Sequence, residues 1–449
     1  MKPHELIRQT RRALNLTLAQ VGERTGYSAA QVSRYERGIT PLTDITVLRR
    51  FADALDLPHQ ALGLTPPPDG PEPRHGRRDR TTTGFPLVPT PRLGSGRKDG
   101  DDPLRRRRLL AGLAATAATA AVAPPGAGTG RGGHALLGEL LVARLRDAML
   151  GLGPTPAELA PGALRADVGR AVADFGACRY ASLAVRLPRI ISAGHALTAG
   201  PGGQDACGLL AQGYLLATRM LVKLDARQLG WMCADRARQF AETGGDVLHI
   251  AESARQLAVL ARSAGWHPEA LSIALTAADD PALREAGPAG TALKGLLVQS
   301  AAYTQARCGD RDGMRELTAE AVAIARELGD TTRVRDHGGF SPLTVQLHQV
   351  SAECRAGDPR AALDAARTIP LKALPTVERR SRALGDIAGA YHQLGRRSDC
   401  LRTLLHAERL APEETHARPA TRNLVAGLLA SGPTTSDLRG LADRSGLLA

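Results

Sequence analysis

One short segment of the chain carries side chains whose types and spacing suit the recognition of nucleic-acid bases. Ala29 and Ala30 precede Ser33 and Arg34 by three to five residues, so a helix would place all four on one face. The alanines are small enough to bring the leading end of a helix close to base-pair edges, and an arginine fork can donate two hydrogen bonds to guanine O6 and N7. The pattern predicts a helix that reads bases in the major groove of DNA.

The position of that helix depends on start and stop signals around it. Thr17 and Ser28 are suited to accept hydrogen bonds from the first turn of a helix, and Gly26 and Gly38 can adopt the left-handed backbone that ends one. Apolar residues between these signals recur three and four residues apart, so each helix buries one face. Residues 17–38 are therefore predicted to form a helix, a tight turn and a second helix.

The same stretch resembles the lambda-repressor-like, or XRE-type, helix-turn-helix family. The residues that carry the resemblance are Gln20, Gly26, Ser28, the run VSRYERG at 32–38, Pro41, and the helix pattern of Leu48, Phe51, Ala52 and Leu55. It implies a five-helix DNA-binding domain over residues 1–65, in which Ala29, Ala30, Ser33 and Arg34 face base edges. It also implies that Gln20, Arg37 and Thr40 lie near DNA phosphates. The alternative is a helical hairpin that only packs.

The charge distribution suits a polyanionic partner for the amino-terminal quarter. The 449-residue chain has a formal net charge of +13; residues 1–65 carry 9 Lys or Arg against 6 Asp or Glu, and residues 66–108 carry 11 against 6. A first helix would gather Arg8, Arg11 and Arg12 on one face. Arg11 is accordingly a candidate phosphate contact, the alternative being a basic face that is only solvated.

Residues 66–133 have the composition of a linker, rich in Pro, Gly and Arg. Within it, four arginines at 105–108 precede a short apolar segment at 109–123, a pattern similar to a twin-arginine export signal. The segment follows a complete domain and is short for a bilayer, so we expect an alanine-rich linker helix. Export, a membrane tether and a misassigned start codon are the alternatives.

Residues that could support catalysis or metal binding are scattered. The six cysteines show no C-x-x-C or His-paired spacing, and the chain has neither an H-E-x-x-H nor a G-x-S-x-G motif. Acidic pairs such as Asp279/Asp280 fall at expected helix ends, where carboxylates usually cap or stay solvated. We expect a cytoplasmic protein that is not an enzyme, with reduced cysteines and no metal or cofactor.

Residues 134–449 are predicted to be an all-α array of helical hairpins. Five similar units end their first helices at turn residues spaced 40, 44, 48 and 38 apart, namely Asp225, Gly265, Gly309, Gly357 and Gly395. The array resembles tetratricopeptide repeats, with longer spacing and few of the aromatic positions, and a general α-solenoid is the alternative. The run HGGFSPLTVQLHQV at 337–350 also resembles a stretch in the repeat region of actinobacterial XRE-type regulators.

Stacked repeats form a curved surface that can hold a peptide or a partner helix. Polar residues on first helices that packing does not require are candidate ligand contacts: Gln212, Arg219, Gln256, Gln299 and Gln346. At 449 residues the chain is too long for a single hydrophobic core. The resemblance implies a sequence-specific transcriptional regulator that binds double-stranded DNA as a homodimer. Its repeats would mediate dimerisation or sensing of a peptide, small molecule or protein. The alternative is an interaction scaffold that the helix-turn-helix only localises to DNA.

Overall fold

The computed structural model describes residues 2–27, 29–38, 40, 42, 44–64, 133–152, 160–200, 203–329 and 339–448. Within these ranges the secondary structure is helical and contains no β-strand. Ser28, Pro41 and the segment 105–123 lie outside the described residues, as does nearly all of the expected linker. In the ranges given, no helix is both long enough and apolar enough to cross a membrane.

The described residues fall into two compact units, one formed by residues up to 42 together with those from 133 onward, and the other by residues 44–64. The second unit contains α4 (Ile45–Ala54), whose first turn is capped by Asp44, and a 3₁₀ turn (His59–Leu62). The apolar residues expected to be in its core, Leu48, Phe51, Ala52 and Leu55, are buried.

The amino-terminal helices of the first unit are α1 (Pro3–Ala13), α2 (Leu18–Thr25) and α3 (Ala29–Glu36). Thr17 accepts a hydrogen bond from the Gln20 backbone N–H at 3.2 Å, and the Gln20 side chain accepts one from the Thr17 N–H at 2.8 Å. This reciprocal capping box starts α2, and Gly26 ends it with φ of 75°. The predicted helix, turn and helix are therefore confirmed, with the Ser28 cap left as a prediction.

A helical-hairpin array follows, in which neighbouring helices pack as pairs. Its helices are α5 (Gly133–Met149), α6 (Pro161–Gly176), α7 (Tyr180–Thr198), α8 (Gly203–Lys223), α9 (Arg227–Gly244), α10 (Val247–Ser263), α11 (His267–Ala278), α12 (Pro281–Glu285), α13 (Gly287–Cys308), α14 (Arg311–Leu328), α15 (Pro342–Arg355), α16 (Pro359–Arg367), α17 (Val377–Gln393), α18 (Arg397–Leu410), α19 (Pro412–Ala417), α20 (Pro419–Ala430) and α21 (Ser436–Arg444).

The turn residues predicted from the sequence lie at turns between helices of this array. The five landmark residues all have left-handed backbone, with φ of 59° at Asp225, 87° at Gly265, 77° at Gly309, 78° at Gly357 and 68° at Gly395. Glycine adopts this conformation without a steric penalty, whereas aspartate is among the few other residues that tolerate it. The predicted hairpin boundaries are confirmed at these positions.

The array closes on itself, a feature that the repeat pattern does not predict. Helix α19 contacts α5, α17 contacts α6, and Ala411 and Ala417 share a hydrophobic core with Leu141 and Tyr180. Polar contacts reinforce the closure at Glu414, which is 2% exposed. One of its oxygens lies 2.9 Å from Lys223 Nζ, and the Tyr180 hydroxyl donates to the other. Three of the five residues expected on an open surface line one partly enclosed cavity of the array, which we call the internal cavity.

Candidate nucleic-acid interface and its acidic cover

The base-reading face expected on α3 is covered at Arg34. Ala29 is exposed and Ser33 is half-buried, while the Ala30 side chain lies outside the described residues. Arg34, the residue with the greatest capacity for base recognition, is only 1% exposed. Burial of a guanidinium to this degree requires partners that replace its hydration, because a buried unpaired charge is very costly.

The partners of Arg34 are two carboxylates of the helical array. Its Nη1 lies 2.5 Å from Glu320 Oε2, and its Nη2 lies 3.4 Å from Asp279 Oδ1. Gln31, on the same helix, donates to the same Asp279 oxygen at 2.6 Å. Both carboxylates are themselves nearly buried, with 7% and 10% of their side chains exposed. The guanidinium fork is thus occupied by acidic groups in the way that a guanine edge or a phosphate would occupy it.

A third ion pair extends this contact toward the carboxyl end of α3. Arg37 Nη2 lies 2.6 Å from Glu316 Oε2, and each side chain is 31% exposed. Glu316 and Glu320 are four residues apart on α14, so they share one face of that helix. We call Asp279, Glu316 and Glu320 the acidic cover. Its carboxylates form ion pairs with two residues predicted to contact DNA, Arg34 and Arg37.

Several atoms in the contact have no hydrogen-bond partner among the described residues. These buried atoms are Arg34 Nε, Asp279 Oδ2 and Glu320 Oε1. Burial raises the pKa of Asp279, which Arg34 opposes by favouring the carboxylate. Each unsatisfied polar atom costs free energy that water or another partner would recover. The contact is therefore specific but incompletely satisfied.

Two of the remaining residues predicted to contact phosphate, Arg11 and Gln20, have structural partners. Arg11 forms a two-pronged ion pair with Glu36, with Nε to Oε1 at 2.5 Å and Nη2 to Oε2 at 2.8 Å, joining α1 to α3. Gln20 caps α2, as described above. Thr40 is buried, and its hydroxyl has no partner among the described residues. The DNA contacts of these residues stay predictions.

The acidic cover is a feature of the candidate site that the sequence patterns do not predict. The sequence predicts that Asp279 and Asp280 cap a helix or stay solvated. Asp280 does cap α12, accepting from the Ala282 N–H at 2.9 Å. The prediction is wrong for Asp279, which pairs with Arg34. The two partners are separated by 245 residues in the chain. No local spacing indicates such a pair, because it depends on how the array folds back onto α3.

The five polar residues proposed for the repeat surface divide into two groups. Arg219, Gln256 and Gln299 line the internal cavity. Gln346 instead donates to the Ala365 carbonyl at 3.3 Å and to the Thr368 hydroxyl, and Gln212 is half-buried on α8. Three of the five predicted residues therefore lie together at one site in the structure.

The structure also locates the other groups considered for chemistry. All six cysteines are free thiols, and burial raises the pKa of Cys233 to about 12 and that of Cys400 to about 11, which disfavours the reactive thiolate. Among the described residues, no cluster of His, Cys, Asp or Glu is arranged to hold a metal ion.

Comparison with known protein families gives independent support for the predicted DNA-binding domain. Residues 5–62 match a family model described as a helix-turn-helix domain. No curated protein matches the chain in sequence. The match covers the amino-terminal helices and not the helical array, whose tetratricopeptide character therefore stays a prediction. The amino-terminal region carries a helix-turn-helix domain, which supports a DNA-binding regulator.

Proposed function

We propose that this protein is a sequence-specific, XRE-type transcriptional regulator whose helical array holds the base-reading helix in a covered state. The observation that carries the proposal is the burial of Arg34 between Asp279 and Glu320. A base-reading arginine left free would be exposed. Here it is sequestered by groups with the charge of the DNA partner.

The cover and DNA are mutually exclusive partners for α3. One guanidinium cannot pair with Glu320 and with a guanine edge at the same time, and the carboxylates would repel DNA phosphates. Binding to DNA therefore requires α3 to leave the cover, and the apparent affinity falls in proportion to the uncovered fraction. The unpaired buried atoms of the contact reduce the free energy that release requires.

The helical array then has a regulatory role in addition to any role in dimerisation. A ligand or partner protein that binds the uncovered state more tightly than the covered state increases DNA binding, whereas one with equal affinity changes nothing. A homodimer would place two α3 helices in successive major grooves about 34 Å apart. On this account the protein acts in the cytoplasm by binding and not by catalysis.

Arg34→Ala tests the base-reading role in the full chain. The change removes both the cover contact and the guanine contact, so we expect nonspecific DNA binding to persist while specific binding is lost. A bidentate arginine contributes about 1–3 kcal/mol to discrimination between sites, or roughly ten- to hundredfold in affinity ratio. Gel shifts with genomic fragments, including the protein's own promoter, across a salt series measure this ratio.

Arg12→Ala is the matched control, because it removes the same charge from an exposed position on α1. It should weaken binding to all fragments alike and leave the ratio unchanged. If the unsubstituted protein itself binds all fragments with equal affinity, the helix-turn-helix is an anchor and the scaffold alternative replaces the regulator.

A further inference from the structure

We propose that the internal cavity of the helical array binds a small phosphorylated organic anion of about the size of a nucleotide. The cavity has a volume of about 590 Å³, within the range of small-molecule sites. Its wall includes Phe175 on α6 and Asn423 on α20, so it exists because the array closes. This inference does not depend on the DNA-binding proposal, since occupancy can be measured without DNA.

The lining of the cavity is strongly cationic. Ten of its residues are arginine or lysine, and two are aspartate or glutamate. Nearby carboxylates neutralise some of this charge: Glu252 lies 2.9 Å from Arg219 and 2.6 Å from Arg255, and Glu378 lies 2.7 Å from Lys223. Glu414 and Asp386 pair with further lining cations. The carboxylates are still fewer than the ten lining cations, so the cavity retains an excess of positive charge.

Arg262 shows this excess most clearly. Its Nη1 donates to the Ser300 carbonyl at 3.0 Å and to the Ser300 hydroxyl at 3.2 Å, and no carboxylate among the described residues forms an ion pair with it. Burial, together with the charge of Arg355, lowers the pKa of Arg262 to about 9. The side chain is still protonated at neutral pH, where it carries a largely desolvated charge without an anion.

Three guanidinium groups converge on a single aromatic ring in the cavity. Those of Arg262, Arg355 and Arg382 lie 5.5, 5.6 and 5.9 Å from the centroid of Tyr303. The electron-rich face of the ring stabilises cations that would otherwise repel one another. Guanidinium forks match the oxygen geometry of phosphoryl groups, so the cluster favours a phosphorylated ligand.

The buried side-chain amide of Gln299 is a second observation that indicates a ligand site. Gln299 lines the cavity and is 4% exposed, yet neither Nε2 nor Oε1 has a hydrogen-bond partner among the described residues. Buried amides are nearly always paired, because the unsatisfied donor and acceptor cost free energy. A ligand that presents both a donor and an acceptor, such as a nucleobase or a sugar hydroxyl, would satisfy both atoms. The cavity volume of about 590 Å³ leaves room for such a group beside the phosphoryl oxygens, so the two observations together favour an organic phosphate.

The test is calorimetric titration of the full chain with five probes: ADP, ribose 5-phosphate, pyrophosphate, citrate and a hexaglutamate peptide. We expect ADP or ribose 5-phosphate to bind with one site per chain, more tightly than citrate or the peptide. Arg262→Gln should weaken that binding at least tenfold, and Gln299→Leu should weaken it without changing the affinity for pyrophosphate. Arg165→Ala, which removes an exposed arginine from α6, should have no effect.

Thermal melting separates a ligand-binding role of Arg262 from a structural one. If the buried charge of Arg262 destabilises the free protein and serves ligand binding, Arg262→Gln leaves the melting temperature of the free protein unchanged or raises it. The variant also loses the increase in melting temperature that the phosphate probe causes. The proposal is overturned if neither organic phosphate binds, if binding is equal in Arg262→Gln, or if only citrate or the peptide binds.

Discussion

Neutralising Asp279 and Glu320 together should raise the affinity of the full chain for its DNA site by about ten- to hundredfold, the usual range of coupling between two sites. Asp279→Asn and Glu320→Gln remove the charges that face Arg34 and keep the side-chain volumes nearly unchanged. Arg34 then loses its favourable partners in the covered state. Its interaction with DNA is unaffected, so the equilibrium shifts toward the uncovered protein.

The effect of general charge must be separated from this shift, because any loss of acidic residues strengthens attraction to DNA. A matched double variant, Glu285→Gln with Glu327→Gln, makes the same change in net charge at two exposed positions of the array. Fluorescence anisotropy with a labelled operator gives both affinities at one salt concentration. Equal gains in the two double variants would mean that the carboxylates do not cover α3.

Replacing Glu414 with alanine should lower the free energy of unfolding by about 3 kcal/mol, the lower end of the range for breaking a buried ion pair. Lys223 and Arg418 both lie within ion-pair distance of this carboxylate, at 2.9 and 3.3 Å, and the Tyr180 hydroxyl donates to it. Lys223 keeps Glu378 at 2.7 Å, which limits the loss. The substitution opens the junction between the first and last hairpins.

Guanidinium-induced unfolding followed by circular dichroism measures this loss. Glu139→Ala on α5 is the control, because it removes an exposed carboxylate from a helix that also borders the junction, and it should change stability by less than about 0.5 kcal/mol. A Glu414→Ala protein as stable as the control would show that the closure depends on apolar packing alone.

Local features of this fold follow from the sequence because they depend on neighbouring residues. Thr17 and Gln20 are three residues apart and form a capping box in any helix that starts there, and Gly26 supplies the backbone that ends it. The same holds for the turns at Gly309 and Gly395, where one residue type marks each hairpin. The helical fold and its units are predictable for this reason.

The arrangement around the candidate sites depends instead on distant residues. Periodicity on one helix identifies Gln299 as a candidate ligand contact, but it cannot indicate that Arg262 and Arg382 converge on Tyr303 from other helices. The contact of Arg34 with Glu320 likewise depends on how the array meets α3. Sequence patterns predict which side chains are available, whereas the tertiary fold decides which of them meet.

The most direct test of the account is to hold α3 on its cover reversibly and measure DNA binding. Arg37→Cys and Glu316→Cys replace a pair whose charged atoms lie 2.6 Å apart, in a chain that also carries Cys308→Ser and Cys354→Ser to remove the cysteines that are not buried. A short bismaleimide with a reducible disulfide spacer joins the two positions, and each single-cysteine chain serves as a control. We predict that the cross-linked protein does not bind the operator and that dithiothreitol restores binding to the level before cross-linking. Equal operator affinity before and after reduction would contradict the claim that the acidic cover and DNA compete for α3.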